Sequence, residues 1–286
     1  MQERRQFILT VSCPDTVGLV AAVSGLIASW GGCLDEVNNH ADKTTGRFFM
    51  RNVIDAESLA LGLEEFRAGF VPLARRFQME FSVRDSSRPK RVALLVSKEE
   101  HCLVDLLHRW RTGELPFELP CVLSNHERCR EYCDAVGVPF RHVPFSPETK
   151  AESFEAVVSL LEQEQVELVV LARFMQILPA WVCERFAGRI LNIHHSFLPS
   201  FAGSRPYRQA FERGVKLIGA TSHFVTAELD AGPIIEQDVM RVDHSHSLAD
   251  LVRLGRDVEK TVLARALRAV LEERVLIDGN KCIVFR

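Results

Sequence analysis

Hydrophobic and polar positions divide the chain into two parts with different patterns. In residues 6–83, short runs of alternating apolar and polar residues are separated by two stretches with apolar residues at helical spacing. Gly31-Gly32 ends the first of these helical stretches, and a turn near residues 42–46 joins the two middle strands. The resulting order, βαββαβ, is typical of a ferredoxin-like unit. Such a unit has no deep pocket of its own, so we expect it to bind or regulate rather than to catalyse.

A polar, proline-containing linker at residues 85–90 precedes a change to alternating strands and helices. The runs VALLV (92–96) and ELVVLA (167–172) are almost wholly apolar, as is typical of parallel strands covered on both faces. A long amphipathic helix over 248–271 is opened by Ser247 and Asp250 at capping-box spacing. The sequence therefore predicts an α/β protein in which a domain at 1–84 is followed by a doubly wound, mostly parallel sheet domain at 91–286. Ligands of such sheets bind beyond the carboxyl ends of the strands.

Composition narrows the classes of function. The chain has 286 residues, 47% of them hydrophobic, and a net charge of −3, which indicates a globular protein and argues against a nucleic-acid partner. The apolar run near the start is too short for a signal peptide, and no stretch approaches a membrane span, so we expect a cytoplasmic protein without a membrane partner. The eight cysteines form no Cys-x-x-Cys pair, and His244 and His246 have no third ligand nearby, so we expect no metal site.

Polar side chains follow the strand-like run RILNI. Asn192 and His194 lie on the same side of an extended segment, and His195 is expected on the opposite side. An amide donor beside an imidazole is suited to holding an oxyanion. Asp230, in a turn containing Gly232, is suited to orienting an imidazole or taking a proton from water. From these residues alone, a purely structural role at the loop backbone stays open.

The runs NIHHSFLPSFAGSRPYRQAFERG, VKLIGATSHFV and LDAGPIIEQDV resemble the folate-dependent formyltransferase family. This resemblance implies a formyltransferase-type sheet domain with Asn192, His194 and Asp230 as the catalytic residues. It also implies that the backbone of the segment LARFMQIL (171–178) binds the pterin ring of the folate. The substrate-binding residues implied in this way are Phe174, Met175, Gln176, Ile177, His195, His223, Val225 and Thr226.

Two further features resemble the hydrolytic, deformylase branch of that family. The chain has His-His at 194–195 where transformylases have His-Pro, and SCPDTVGLVAAVSG with TGRFFMR resembles an ACT domain. The resemblance implies hydrolysis of 10-formyltetrahydrofolate, without a cofactor, to supply formate for purine synthesis and to balance folate pools. It also implies an amino-acid effector such as glycine or methionine near Asp15 and Gly18. Because ACT units pair, we expect a homo-oligomer, either a dimer or a tetramer.

The loop after the first strand of the second domain bears on the formyl acceptor. Relatives that formylate glycinamide ribonucleotide hold its phosphate with a glycine-rich loop, whose backbone N–H groups converge on the anion. Here the loop at 97–101 has no glycine and carries Glu99 and Glu100, which we expect to repel a phosphate. Water is the simplest acceptor that remains. Two alternatives stay open: formyl transfer to an amine without a phosphate, and a folate- or amino-acid-sensing protein without catalysis.

Overall fold

The computed structural model describes residues 4–199 and 206–286, and the chain forms two compact units. The first unit comprises the chain as far as Pro89 together with Glu272–Leu276 and Ile283–Arg286. The second comprises Lys90–Leu271 and Ile277–Cys282. The two C-terminal segments of the first unit fall in the range that the sequence assigned to the second domain. One contact that joins these segments to the first unit is polar: buried Arg51 donates hydrogen bonds to the backbone carbonyl of Glu272 at 3.1 and 3.0 Å. A pattern of hydrophobic residues does not reveal such a contact.

The first unit has the predicted βαββαβ order. Its elements are β1 (Gln6–Pro14), α1 (Leu19–Ser29), β2 (Cys33–Asp42), β3 (Arg47–Asp55), α2 (Leu63–Arg76) and β4 (Glu80–Asp85). The strands form an antiparallel sheet in the order β2-β3-β1-β4. Alternate residues of β1, such as Phe7 and Leu9, pack with Val23 of α1 and Phe66 of α2 in one buried core. This alternation places one side of β1 against the helices, whereas β3 is buried on both sides from Phe48 to Ile54.

The second unit alternates strands and helices. It contains β5 (Val92–Val96), α3 (His101–Arg111), β6 (Val122–Ser124), α4 (Arg130–Asp134), β7 (Phe140–His142), α5 (Lys150–Gln163), β8 (Leu168–Leu171), α6 (Ala180–Arg185), β9 (Ile190–His194), α7 (Pro206–Glu212), β10 (Leu217–Phe224), β11 (Ile234–Arg241) and α8 (Leu248–Leu271). A two-stranded sheet of β12 (Val275–Asp278) and β13 (Lys281–Val284) follows near the C-terminus. No helix in the described part of the chain is long and apolar enough to cross a membrane.

Strand order places the ligand-binding edge of the sheet. The order is β11-β10-β9-β8-β5-β6-β7, with β9, β8, β5, β6 and β7 parallel and with β10 antiparallel to both of its neighbours. Every residue of β5 and β8 is buried, as their apolar runs predicted. The chain leaves β5 toward β6 and β7 and then returns to β8 on the other side of β5. This reversal opens a crevice at the carboxyl ends of the strands, so the predicted doubly wound, mostly parallel sheet is confirmed.

The elements that sequence analysis did not predict are short. β7 has 3 residues, and α6 and α7 have 6 and 7, so none is long enough to show a period. The predicted capping box of α8 is present: the Ser247 backbone N–H donates to Asp250 at 3.0 Å, and the Asp250 backbone N–H donates to the Ser247 hydroxyl at 3.2 Å.

Candidate active site

A cavity of about 910 Å³ lies beside the carboxyl ends of β8 and β9 and the loop after β10 in the second unit. Its wall includes residues 173–178 after β8, residues 192–195 at the end of β9 and residues 225–230 after β10. Residues 206–208 of α7 also line it. Its volume lies within the range of pockets that enclose a drug-sized ligand.

Antiparallel pairing of β9 with β10 sets the orientation of Asn192. The register places Asn192 opposite His223, and burial lowers the pKa of His223 below its ordinary value, which favours the neutral ring. The ring Nδ1 of His223 lies 2.9 Å from the backbone carbonyl of Phe224 and therefore carries the proton. The unprotonated Nε2 then accepts a hydrogen bond from the Asn192 amide nitrogen at 3.2 Å. His223 thus fixes the Asn192 amide, and no acceptor among the described residues takes its second N–H, which is available to a ligand.

His194 and Asp230 form a hydrogen-bonded pair at the next position. His194 Nδ1 lies 3.3 Å from Asp230 Oδ2, and both side chains are largely buried. Burial alone would raise the pKa of Asp230, but the hydrogen bond from His194 and the charges of the neighbouring histidines bring it below its ordinary value. The carboxylate reaches His194 through a turn in which Asp230 has a φ of 55°. This turn requires Gly232, because a Cβ there would lie 1.8 Å from the carbonyl oxygen of Phe224.

The other ring nitrogen of His194 is available to a ligand. His194 lines the cavity, and its buried Nε2 has no hydrogen-bond partner among residues 4–199 and 206–286. The Asn192 amide lies two residues away on the same strand face, so an amide and an imidazole are held side by side with a carboxylate behind the imidazole. Such an arrangement is able to hold an oxyanion and to move protons.

Both loops that flank this centre are anchored through their backbones. After β8, the Met175 backbone N–H donates to the hydroxyl of Ser97 at 2.9 Å, and Ser97 donates to Asn125 at 2.7 Å. After β10, the Val225 backbone N–H donates to the carbonyl of Ile190 at 2.9 Å. The side chains of Met175 and Ile177 stay exposed at 56% and 61%, so the first loop offers apolar surface on a fixed backbone. Sequence analysis missed Ser97 and Asn125, although each follows directly after a buried strand.

The sequence-predicted site residues fall into two groups. The catalytic candidates Asn192, His194 and Asp230 and the substrate-binding candidates Phe174, Met175, Gln176, Ile177, His195, His223, Val225 and Thr226 all line this one cavity. His195 was expected opposite His194, but β9 ends at His194 and the two ring centroids lie 5.2 Å apart. The effector candidates Asp15 and Gly18 are exposed in the turn before α1 of the first unit, where Gly18 has a φ of 92°. Residues 200–205 of the run that carries the family resemblance lie outside the described residues.

The expected repulsion of phosphate by the loop after β5 is weaker than its sequence suggests. Glu99 pairs with Arg256 at 2.6 Å, and Glu100 pairs with Arg128 at 3.0 Å. Each carboxylate therefore has a cationic partner, and the loop presents less net negative charge than two glutamates alone would. The last residue of this loop, His101, contacts the buried carboxylate of Glu259 instead.

His101 belongs to a buried polar cluster that the sequence analysis missed, which we call the Glu259 cluster: His101, Arg173, Tyr207 and Glu259. Glu259 is 1% exposed and accepts a hydrogen bond from the Tyr207 hydroxyl at 2.5 Å. Its other oxygen lies 2.8 Å from His101 Nε2 and 3.5 Å from Arg173 Nε. With Cys102, His101 and Glu259 also place three metal-ligating atoms within 4.8 Å of one another. Because both carboxylate oxygens are already engaged and a guanidinium lies beside one of them, these donors do not suit a cation.

Comparisons with known proteins agree with this fold. The formyl transferase family matches residues 90–267. A curated formyltetrahydrofolate deformylase from Bacillus subtilis is 46% identical over 97% of this chain and 93% of its own length. The crystal structure of a formyltetrahydrofolate deformylase from Pseudomonas syringae is 52% identical with a TM-score of 0.98, covering 100% of this chain and 96% of that one. A glycinamide ribonucleotide transformylase from Symbiobacterium toebii is 32% identical with a TM-score of 0.65, covering 69% of this chain and 95% of that one. The chain therefore belongs to the formyl transferase family and, within it, to the formyltetrahydrofolate deformylases.

Proposed function

We propose that this protein hydrolyses 10-formyltetrahydrofolate to formate and tetrahydrofolate. The observation that carries the proposal is the arrangement at the end of β9. There the Asn192 amide and the Nε2 of His194, which has no hydrogen-bond partner in the described part of the chain, face one cavity, and Asp230 pairs with the other ring nitrogen. Membership in the deformylase branch supports the substrate and the reaction.

The cavity wall suits a folate. We assign the pterin ring to the backbone of residues 174–178 and to the loop at 225–230, because backbone N–H and C=O groups are suited to the hydrogen-bonding edge of a flat heterocycle. Ser97 holds the first of these segments through Met175, which limits its movement when the substrate enters. The exposed Met175, Ile177 and Leu229 side chains supply apolar contact for the rest of the molecule.

The chemistry follows from three polar side chains: Asn192 and His194 at the end of β9, and Asp230 in the turn after β10. The free N–H of Asn192 and the protonated Nε2 of His194 donate to the formyl oxygen as it becomes an oxyanion. Water attacks the formyl carbon and gives one proton to Asp230, so that a C–O bond forms. The C–N10 bond then breaks, and N10 takes the proton from His194. Formate leaves as the anion after it loses its acidic proton, and proton exchange with solvent restores Asp230 and His194.

The first unit is proposed to be regulatory. It contains none of the cavity residues, and its fold resembles the ACT units of the sequence analysis. We assign it an amino-acid effector, with glycine and methionine as the first candidates, near Asp15 and Gly18, and we assign the protein a homo-oligomeric state and a cytoplasmic location. Formate for purine synthesis is the proposed use of the product.

A time course with purified protein tests the proposed reaction. Given 10-formyltetrahydrofolate with or without glycinamide ribonucleotide, the protein is expected to release formate at the same rate and to leave the amine unformylated, as followed by mass spectrometry. Asn192→Ala and His194→Ala are each expected to lower turnover ~10²–10³-fold while folate binding persists. His246→Ala, at a partly exposed histidine outside the cavity, is the matched control and should keep wild-type turnover. Formyl transfer that outpaces formate release would refute the proposal.

A further inference from the structure

The Glu259 cluster occupies a defined part of the cavity wall. Arg173 and Tyr207 line the cavity, whereas Glu259 lies behind them at 1% exposure. The parallel register pairs Leu171 with Asn192, and Arg173 follows two residues after Leu171, as His194 follows Asn192. Arg173 therefore lies just after the end of β8, next to the strand end that carries the proposed reaction centre. Apolar side chains and backbone dominate the walls at 174–178 and 225–229, so Arg173, Tyr207 and His195 make this part of the wall distinct.

Local sequence features build the cluster. Arg173 has a φ of 65°, a left-handed conformation that costs free energy for a residue with a Cβ and turns the chain directly after β8. Gly255 of α8 makes room for Tyr207, because a Cβ at residue 255 would lie 2.2 Å from the Tyr207 hydroxyl oxygen. One turn later, on the same helix face, Glu259 meets that hydroxyl. The cluster thus depends on close packing that a single methyl group would disrupt.

Charge attraction, and not a hydrogen bond, holds Arg173 beside Glu259: the two groups lie 3.5 Å apart, and the Nε and Nη1 of Arg173 have no hydrogen-bond partner among residues 4–199 and 206–286. Burial opposes the ionised form of Glu259, but the hydrogen bond from His101 and the charge of Arg173 outweigh it and lower the pKa of Glu259. Arg173 is the cationic partner of this buried carboxylate. Moving the guanidinium aside would strand a charge in the protein interior, which is strongly unfavourable. A molecule that needs the space of the Arg173 side chain would therefore have to break a buried ion pair.

We propose that Arg173, held by Glu259, fills the space through which an amine would approach the formyl carbon and thereby restricts the nucleophile to water. Arg173 is then a specificity-determining residue rather than a catalytic one. This inference rests on the proposed hydrolysis and explains a choice that the charges of Glu99 and Glu100 do not, since both are paired with arginines. Water needs little room and reaches the carbon beside the guanidinium, whereas an amine with any substituent does not.

The two reactions differ in one bond. In hydrolysis, a C–O bond to water forms, the C–N10 bond breaks, the water loses one proton and N10 gains one. In transfer, a C–N bond to the amine forms, the same C–N10 bond breaks, the amine loses one proton and N10 gains one, so no water is consumed. The ratio of formylated amine to formate therefore reports which nucleophile reaches the carbon.

The test uses the full chain, 10-formyltetrahydrofolate and glycinamide, an amine without a phosphate. Formate and formylglycinamide are measured by mass spectrometry over a series of amine concentrations, and the rates without enzyme are subtracted. Wild type is expected to give formate only. Arg173→Ala is expected to give formylglycinamide, with a product ratio at least tenfold above wild type that rises with amine concentration. Arg208→Ala removes another arginine that lines the cavity but lies outside the cluster, and its ratio should stay at the wild-type value.

A second variant separates specificity from folding. Arg173→Ala combined with Glu259→Gln opens the same space without a stranded carboxylate, so it tests the inference if the single variant fails to fold. It should form formylglycinamide as the single variant does. A folded form of either variant that releases formate alone would overturn the inference and leave the proposed hydrolysis intact. Wild type that formylates glycinamide, or that releases no formate, would overturn both.

Discussion

Replacing Asp230 by asparagine removes one charge and keeps the size of the side chain. The carboxylate lies 3.3 Å from His194 Nδ1, and two unit charges at that distance interact by about 5 kcal/mol at an effective dielectric constant of ~20. The neutral amide keeps roughly half of this as a hydrogen bond, so we expect a loss of about 2–3 kcal/mol, or ~10²-fold, in the stabilisation of the protonated ring. The variant also loses the acceptor for the proton of water. We therefore expect kcat to fall ~10²–10⁴-fold.

The assay compares kcat for formate release with the affinity for a non-hydrolysable folate, and thermal unfolding checks that the variant is folded. Asp230→Asn should change folate affinity far less than kcat, because the charge acts on the reacting atoms. Asp243→Asn is the matched control, since Asp243 also contacts a histidine, at 3.0 Å, but on an exposed loop. A folded Asp230→Asn protein within tenfold of wild-type kcat, or a control that loses as much, would refute this role.

Three further predictions concern residues around the centre. If His223 acts by orienting Asn192, then His223→Ala should lower kcat at least tenfold. The double variant His223→Ala with Asn192→Ala should be no slower than Asn192→Ala alone. Losses of kcat that add up in the double variant would contradict this role. Gly255→Ala should destabilise the protein by ~1–3 kcal/mol in urea unfolding because the methyl group meets Tyr207, whereas Gly25→Ala, in a helix position with open space, should stabilise it by ~0.5–1 kcal/mol. Burial and then the charge of Arg173 lower the pKa of His195 from 6.5 to about 3. Between these two pH values the unfolded chain binds more protons than the folded chain, so the folded protein loses stability as the pH falls through this range. His195→Gln should therefore lose less stability between pH 7 and 5 than wild type does.

Much of the fold and the grouping of the candidate site residues was predictable from local patterns. The apolar runs of β5 and β8 report burial on both faces, and the two-residue spacing of Asn192 and His194 reports a shared strand face. Each of these patterns extends over only a few consecutive residues, so it is visible in the sequence alone. The ends of strands are less predictable: His195 joined His194 in the cavity because β9 ends between them.

The Glu259 cluster was not predicted because its members come from distant parts of the chain. Arg173 and Glu259 are separated by more than eighty positions, and only the fold brings them together. One local signal was nevertheless present. Glu259 lies four residues after Gly255 and three before Val262, on the buried face of α8, and a charged residue on an apolar helix face needs a partner. The sequence therefore indicates that Glu259 needs a polar partner, but it does not show which residue is that partner.

The loop after β5 shows how a charge count in a sequence overstates an electrostatic effect. Glu99 and Glu100 contact Arg256 and Arg128, which come from other elements, and the side chains of both pairs are partly exposed. Exposed pairs of this kind contribute ~0–1 kcal/mol and are screened by salt, so they exert little force on a ligand. We therefore expect Glu99→Gln with Glu100→Gln to leave the ratio of formylated glycinamide ribonucleotide to formate at its wild-type value, at low and at physiological salt. The product assay that tests Arg173, run with this phosphorylated amine in place of glycinamide, measures the ratio. If neutralising the two glutamates admits the phosphorylated amine while Arg173→Ala admits neither amine, then charge at this loop, and not the guanidinium beside the reaction centre, selects water.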